Sequence, residues 1–482
     1  MKARYLILAA ICSLVSCTSE IRVSGTLDAA PDIFPDYAGV TVPQTVAPPA
    51  FALKDARGRT ALRLEGSGCD FTVRGSEFLI PEQEWRNLTA SGDVITATVM
   101  EKRSAQWVAY RPFNIYVSTD AIDESIAYRL IEPGYETWNN MGLYMRDLST
   151  YDEKAIITNS GTDRNCMNCH SFAGRDASSM VFHMRADHGG TYVIRDGKVE
   201  KLNTKTPQTI SAVVYPQWSP DGRYIAFSCN DIAQAFHSTN PNRAEVYDSI
   251  SDVVVYDVDS HEVVSSPLLM QADVLETFPT FSPDGRTLYF CTSPRQDVPQ
   301  DYRDIRYSIC SIAFNPDTRT FGEKVDTLYS ASRTGHCAVM PRVSPDGQWL
   351  MFTQTAYGCF PIWHKDADLW LIDLRDGSMK ALEGANSGDV DSYHSWSSNG
   401  RWVVFSSRRM DGLYTRPHIA HIDENGNATK AFPLPQKSAL FYHDFLKSFN
   451  IPEFVNGAVG ASEADITASA INDKGTDLTF VE

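Results

Sequence analysis

Beyond its first fifteen residues, the 482-residue chain has no apolar run long enough to cross a bilayer as a helix, which excludes a polytopic membrane protein. Basic residues are scarce. Against 60 Asp and Glu there are only 43 Lys and Arg, and the net charge of −17 argues against nucleic acid and anionic lipid headgroups as electrostatic partners. Charged residues make up just 21% of the chain while 43% is hydrophobic, so a disordered protein is excluded and large cores are affordable. Nucleophile, base and orienting group do not recur at any diagnostic spacing. Whether the chain is an enzyme therefore stays open, with a non-catalytic role favoured.

What the sequence does contain centres on Asn165-Cys166-Met167-Asn168-Cys169-His170. Two thiols three residues apart with an imidazole directly after them form the attachment pattern of a c-type haem. Cys166 and Cys169 would each bond to a vinyl group, and His170 would be the axial iron ligand. A zinc site competes with this reading, because His183 and His188 follow at a spacing that suits two Cys and two His. A thioredoxin-like pair is weaker, since no βαβ pattern surrounds it. For the distal haem position the nearby candidates are His183, His188, Met141, Met145, Met180 and Met184, together with His394 at the matching position of another repeat.

The chain opens with a basic Met1-Lys2-Ala3-Arg4 and an apolar stretch to Val15, the pattern of a signal peptide over 1–16. Leu14-Val15-Ser16-Cys17 resembles a bacterial lipobox, which implies that Cys17 carries lipid and anchors the protein. Residues 17–49, rich in Pro, Asp and Ala, read as an extended tether. Alternating runs such as Ile95-Thr96-Ala97-Thr98-Val99 and Phe113-Asn114-Ile115-Tyr116-Val117 then predict a small β-sandwich over 50–157. Among the remaining cysteines, Cys229 and Cys291 read as buried thiols, and Cys337 with Cys359 is a candidate disulfide.

From 158 to 435 the chain repeats. Trp218-Ser219-Pro220-Asp221-Gly222 returns as Phe281-Ser282-Pro283-Asp284-Gly285, as Val343-Ser344-Pro345-Asp346-Gly347 and, more loosely, as Trp396-Ser397-Ser398-Asn399-Gly400. Pro presets the turn, Asp or Asn bonds back to it, and Gly takes the left-handed position, so each copy predicts a hairpin between hydrophobic strands. Four strands per repeat make a propeller blade. A fifth, degenerate copy, His170-Ser171-Phe172-Ala173-Gly174, places the CxxCH in or just before the inner strand of the first blade. Long connections at 230–251, 293–304 and 355–366 are expected to build one rim. Residues 436–482 are expected to add a helix and a strand that closes the ring, giving six blades.

The Ser-Pro-Asp-Gly hairpins resemble the repeats of TolB-like β-propellers. Together with the lipobox and the CxxCH, they are similar to a family of exported bacterial lipoproteins, a resemblance that carries over Cys17, Cys166, Cys169 and His170 only. It implies an all-β protein, a small N-terminal β-sandwich followed by a TolB-like β-propeller, anchored in the bacterial cell envelope by lipid and carrying one covalent haem c. The expected role is electron transfer or haem-based sensing with a redox or other protein partner of the envelope. The alternative is a protein-binding scaffold whose CxxCH is structural or holds zinc.

Overall fold

Period-two runs of Val, Ile, Tyr and Phe, broken by Gly and Asp turns, favour pleated strands over helices. The computed structural model, which describes residues 21–132 and 140–481, is accordingly nearly all β. The signal peptide and Cys17 lie outside the described residues. Among the described residues, no helix is long and apolar enough to cross a membrane.

Much of the chain forms four-strand antiparallel meanders, numbered here as sheets one to six; the second and third are joined into one nine-stranded sheet, and the sixth takes its inner strand from the far end of the chain. The inner strands are Met167–Phe172, Val213–Trp218, Val274–Phe281, Cys337–Val343, Asp391–Trp396 and Ser448–Val455. In the first sheet the predicted strands appear as Met180–Met184, Gly190–Arg195 and Lys198–Asn203. Every inner strand carries a bulge whose residue has positive φ: Cys169, Tyr215, Phe278, Met340, Tyr393 and Ile451, between 49° and 58°. For a β-branched residue such as Ile451 this is a strained backbone, so its recurrence at one register position marks an architectural requirement. The residue after the bulge is Pro in four strands and His in two, His170 and His394.

The Ser-Pro-Asp-Gly turns behave as their chemistry predicts. In the first, Ser219 Oγ accepts from Tyr224 N at 2.9 Å and Asp221 Oδ1 accepts from Arg223 N at 3.1 Å, while Gly222 sits at φ 69°. The glycine is also an inter-sheet contact. A Cβ on Gly285, Gly347 or Gly400 would lie 3.6, 3.7 or 3.3 Å from the proline of the preceding turn, Pro220, Pro283 or Pro345.

Four expectations need correction. Residues 21–49 are no tether: Val23–Thr26 and Thr41–Pro43 join the N-terminal sheet in parallel pairing, and Tyr37, Val40, Val42 and Val46 are buried in its core. The N-terminal unit ends near Ser118 rather than at 157, because Ser125–Ile131, Gly142–Asp147 and Glu153–Thr158 pair with Ser448–Val455 to make the sixth sheet. The predicted helix at 437–449 shrinks to Phe441–Asp444, and Ser448–Val455 supplies the inner strand of that sheet. Thr479–Val481 instead pairs with the outer strand Glu262–Val264. Finally, Cys337 and Cys359 are free thiols, each donating to a main-chain carbonyl, of Gly358 and Val246.

The rim also differs in kind. Most of 230–251 is a continuation of two strands, Tyr224–Phe236 and Ala244–Asp257, paired out to Phe236 and Ala244. This hairpin arm packs on the aromatic loops of the third and fourth sheets through Tyr247, Tyr302 and Trp363. The N-terminal sheets share one core with the fifth and sixth, including Trp85, Ile126, Trp402, Val404 and Phe449.

Candidate haem-attachment site in the central channel

Strand Met167–Phe172 pairs with Met180–Met184, and the register slips between Asn168 and Ser171. Cys169 and His170 occupy that slip. A CxxCH usually opens a helical turn; here it lies on a strand, and the bulge turns consecutive residues toward different spaces. Both thiols, Cys166 and Cys169, line a cavity of about 460 Å³ beneath the hairpin arm. His170 lines a waist of about 30 Å³ on the inner side, and Cys169, Tyr215, Tyr393 and Ile451 border both spaces. Beyond the waist, past Gln217 and Arg342, opens a third cavity of about 270 Å³ among the Ser-Pro-Asp-Gly turns.

His170 is 3% exposed; among the described residues neither ring nitrogen makes a hydrogen bond of full geometry, and the main chain of Ile451 approaches the ring closely enough to raise its pKa slightly. Burial, with a smaller contribution from the Arg129 charge, pushes its pKa down to about 3, so the imidazole is neutral. A buried neutral imidazole with both nitrogens unsatisfied is costly unless something else binds it. Burial pushes the Cys169 thiol up. In the thiol cavity stand two guanidinium groups with atoms unsatisfied among the described residues, Arg129 Nε and Arg408 Nη1. Arg408 donates to Ile362 O at 2.6 Å and stacks 3.4 Å from the centroid of Trp363. Its burial lowers its pKa to about 9. Glu132, whose buried Oε2 has no partner among the described residues, lines the same cavity.

None of the seven distal-ligand candidates lines the thiol cavity or the waist. His183 bonds Thr191 at 3.2 Å, His188 bonds Asp163 at 2.8 Å, and Met141 Sδ accepts from Met167 N at 3.3 Å. Met180 and Met184 are core residues, Met145 is half-buried, and His394 contacts Met351 O at 3.2 Å. The thioether that does line the waist with His170 is Met340, at the bulge of the fourth inner strand, a position no local motif marks. Nor does the fold assemble the zinc set, for no three His, Cys, Asp or Glu side chains among the described residues are placed to hold a metal ion. A Ser, His and Asp do meet at Ser118, His421 and Asp120. Both partners approach the same ring nitrogen, at 3.3 and 2.6 Å, so this is no proton relay.

No known protein-family profile matches the chain. A protein of Bacillus subtilis named as the uncharacterized peptidase YuxL is 26% identical over 251 residues, covering 46% of this chain and 34% of the relative. The chain thus spans about a third of that relative's length. Solved structures with a loose likeness include a puromycin-hydrolysing peptidase of Mycobacterium tuberculosis (13% identity, 73% of this chain and 53% of the other, TM-score 0.36). Others are prolyl oligopeptidase B of Galerina marginata (11%, 63% and 42%, TM-score 0.34) and dipeptidyl peptidase 4 of Porphyromonas gingivalis (11%, 70% and 58%, TM-score 0.31). These findings correct the expectation of a non-enzymatic chain, because the curated relative bears a peptidase name. The coarse conclusion is a nearly all-β chain.

Proposed function

We propose that the chain is a six-bladed propeller holding one covalently attached haem c in its channel, anchored by lipid at Cys17 in the cell envelope. It would serve a redox or haem-sensing role with an envelope protein partner. Support for six blades lies in the neighbour relations: each inner strand contacts the next in chain order, and Ser448–Val455 contacts Met167–Phe172. The observation that carries the haem reading is the buried His170, whose ring nitrogens complete no full-geometry hydrogen bond among the described residues, beside the two thiols of its own motif.

The residues present fit such a group in part: both thiols line the larger cavity, while His170 lines the adjoining waist and would have to turn across the wall that the two spaces share. Cys166 and Cys169 would hold it by thioether bonds, His170 would offer a ring nitrogen to the iron, and the apolar wall of Tyr215, Tyr393, Phe360 and Trp363 would exclude water. Arg129 and Arg408 would offer positive charge to its carboxylates. When bound, the group supplies reversible one-electron exchange or an iron atom for a small ligand. The test is a haem stain after denaturing electrophoresis, on protein made in cells that attach c-type haem. Stain retained by the native chain and lost in Cys166→Ser plus Cys169→Ser supports the reading; an unstained native chain refutes it.

A second reading follows the relative: the propeller would be the platform of a peptide-hydrolysing protein, supported by the 26% identity to a protein of peptidase name. Hydrolysis of a panel of short peptides by the full chain, abolished by a serine-hydrolase inhibitor, is its test.

A further inference from the structure

The cavity among the Ser-Pro-Asp-Gly turns has no part in the haem reading. Arg175, Arg342 and Glu453 line it, contributed by the first, fourth and sixth sheets, with Gln217, Ser171 and Ser395 on its wall. Each arginine spends one N–H on a main-chain carbonyl: Arg175 Nε on Trp396 O at 2.7 Å, and Arg342 Nη1 on Pro341 O at 2.8 Å. A guanidinium has five N–H donors, so about four remain on each. Among the described residues, neither arginine forms an ion pair within 4.0 Å; Glu453 and, for Arg175, Asp123 act only from farther away.

Two positive charges therefore line one half-open cavity together with the carboxyl group of Glu453, all three side chains half-buried. Burial works against all three, lowering both arginine pKa values and lifting Glu453 to about 7. Around neutral pH the cavity carries a net positive charge within a protein whose total is −17. Such an arrangement is unfavourable without a counter-charge and suits a planar oxyanion held by two forks.

We propose that this cavity binds a small carboxylate or phosphate anion between the guanidinium groups of Arg175 and Arg342. At about 270 Å³ it is smaller than the usual drug-sized pocket, which favours a compact anion over a nucleotide. Glu453 sits as the competing charge that the anion must displace or face in protonated form.

Calorimetric titration of the full chain with acetate, succinate and inorganic phosphate tests this, and the preferred probe separates carboxylate from phosphate as the source. Saturable 1:1 binding of at least one probe is expected. In Arg342→Lys, which keeps the charge and loses the fork, affinity should fall at least about tenfold. In Glu453→Gln it should rise, and in the surface variant Arg86→Lys it should not change. Absence of saturable binding by all three probes overturns the proposal, as does binding that Arg342→Lys leaves unchanged.

Discussion

Arg416 gives the sharpest test of how the last sheet is held. It is fully buried on strand Arg416–His421, and its guanidinium donates to three carbonyls of the segment leading into Ser448–Val455: Lys447 at 2.7 Å, Tyr442 at 2.7 Å and Phe445 at 2.8 Å. Consider Arg416→Met, which keeps length and apolar stem. Three charge-assisted bonds are lost, each contributing roughly 1.5–3 kcal/mol, and the carbonyls are left in a dry interior. Removing a buried cation returns several kcal/mol of desolvation, since Asp411 at 3.7 Å pairs with it only partly. The net loss is about 3 kcal/mol. For a chain of 482 residues that corresponds to a fall in Tm of roughly 3 °C by circular dichroism. Amide exchange should accelerate specifically in 448–455, where the sixth sheet is stitched. A fall of under about 1 °C with unchanged exchange would refute the reasoning.

Other consequences are more local. Glu276 is fully buried, and burial lifts its pKa from 4.5 to about 8, so the folded state retains a proton the unfolded chain releases. Its contribution to stability therefore declines as pH rises from about 4.5 through 8. Glu276→Gln should be stabilised relative to the native chain by roughly 2 kcal/mol at pH 8 and by little at pH 5, as read by denaturant titration at both pH values. Gly426 and Gly377 share a left-handed φ of 71° and 76°, but a Cβ on Gly426 would lie 2.9 Å from the Trp349 ring while Gly377 faces open space. Gly377→Ala should cost about 1 kcal/mol and Gly426→Ala about 2–3 kcal/mol; equal losses would show that packing at Trp349 yields freely. Finally, Arg408→Gln should keep the haem stain while lowering the midpoint potential in a redox titration, because one buried positive charge near the iron is removed; an unchanged potential would place Arg408 away from it.

How much of this was readable in the sequence depends on how local the determinant is. The Ser-Pro-Asp-Gly hairpins were legible because Pro, Asp and Gly act within five residues, and Ser219, Asp221 and Gly222 bond as that chemistry requires. The sixth sheet was not, because its inner strand and its other three strands stand some 300 residues apart and pair only after the chain closes on itself. The supposed tether misled for a similar reason. Its prolines mask an apolar set, Tyr37, Val40, Val42 and Val46, whose partners lie far along the chain. Within the site, Cys166, Cys169 and His170 announce themselves by spacing. Arg129, Met340 and Arg408 do not, although Arg129 leaves one trace: it is the single charged residue in the apolar run Ser125–Ile131.

The central claim is most directly tested by the intact mass of the full chain purified from cells that attach haem to a control c-type protein. The account predicts the mass of the mature lipid-bearing polypeptide plus one haem, losing the haem increment alone when both Cys166 and Cys169 are serine. A native chain recovered from those cells without the haem increment would contradict it.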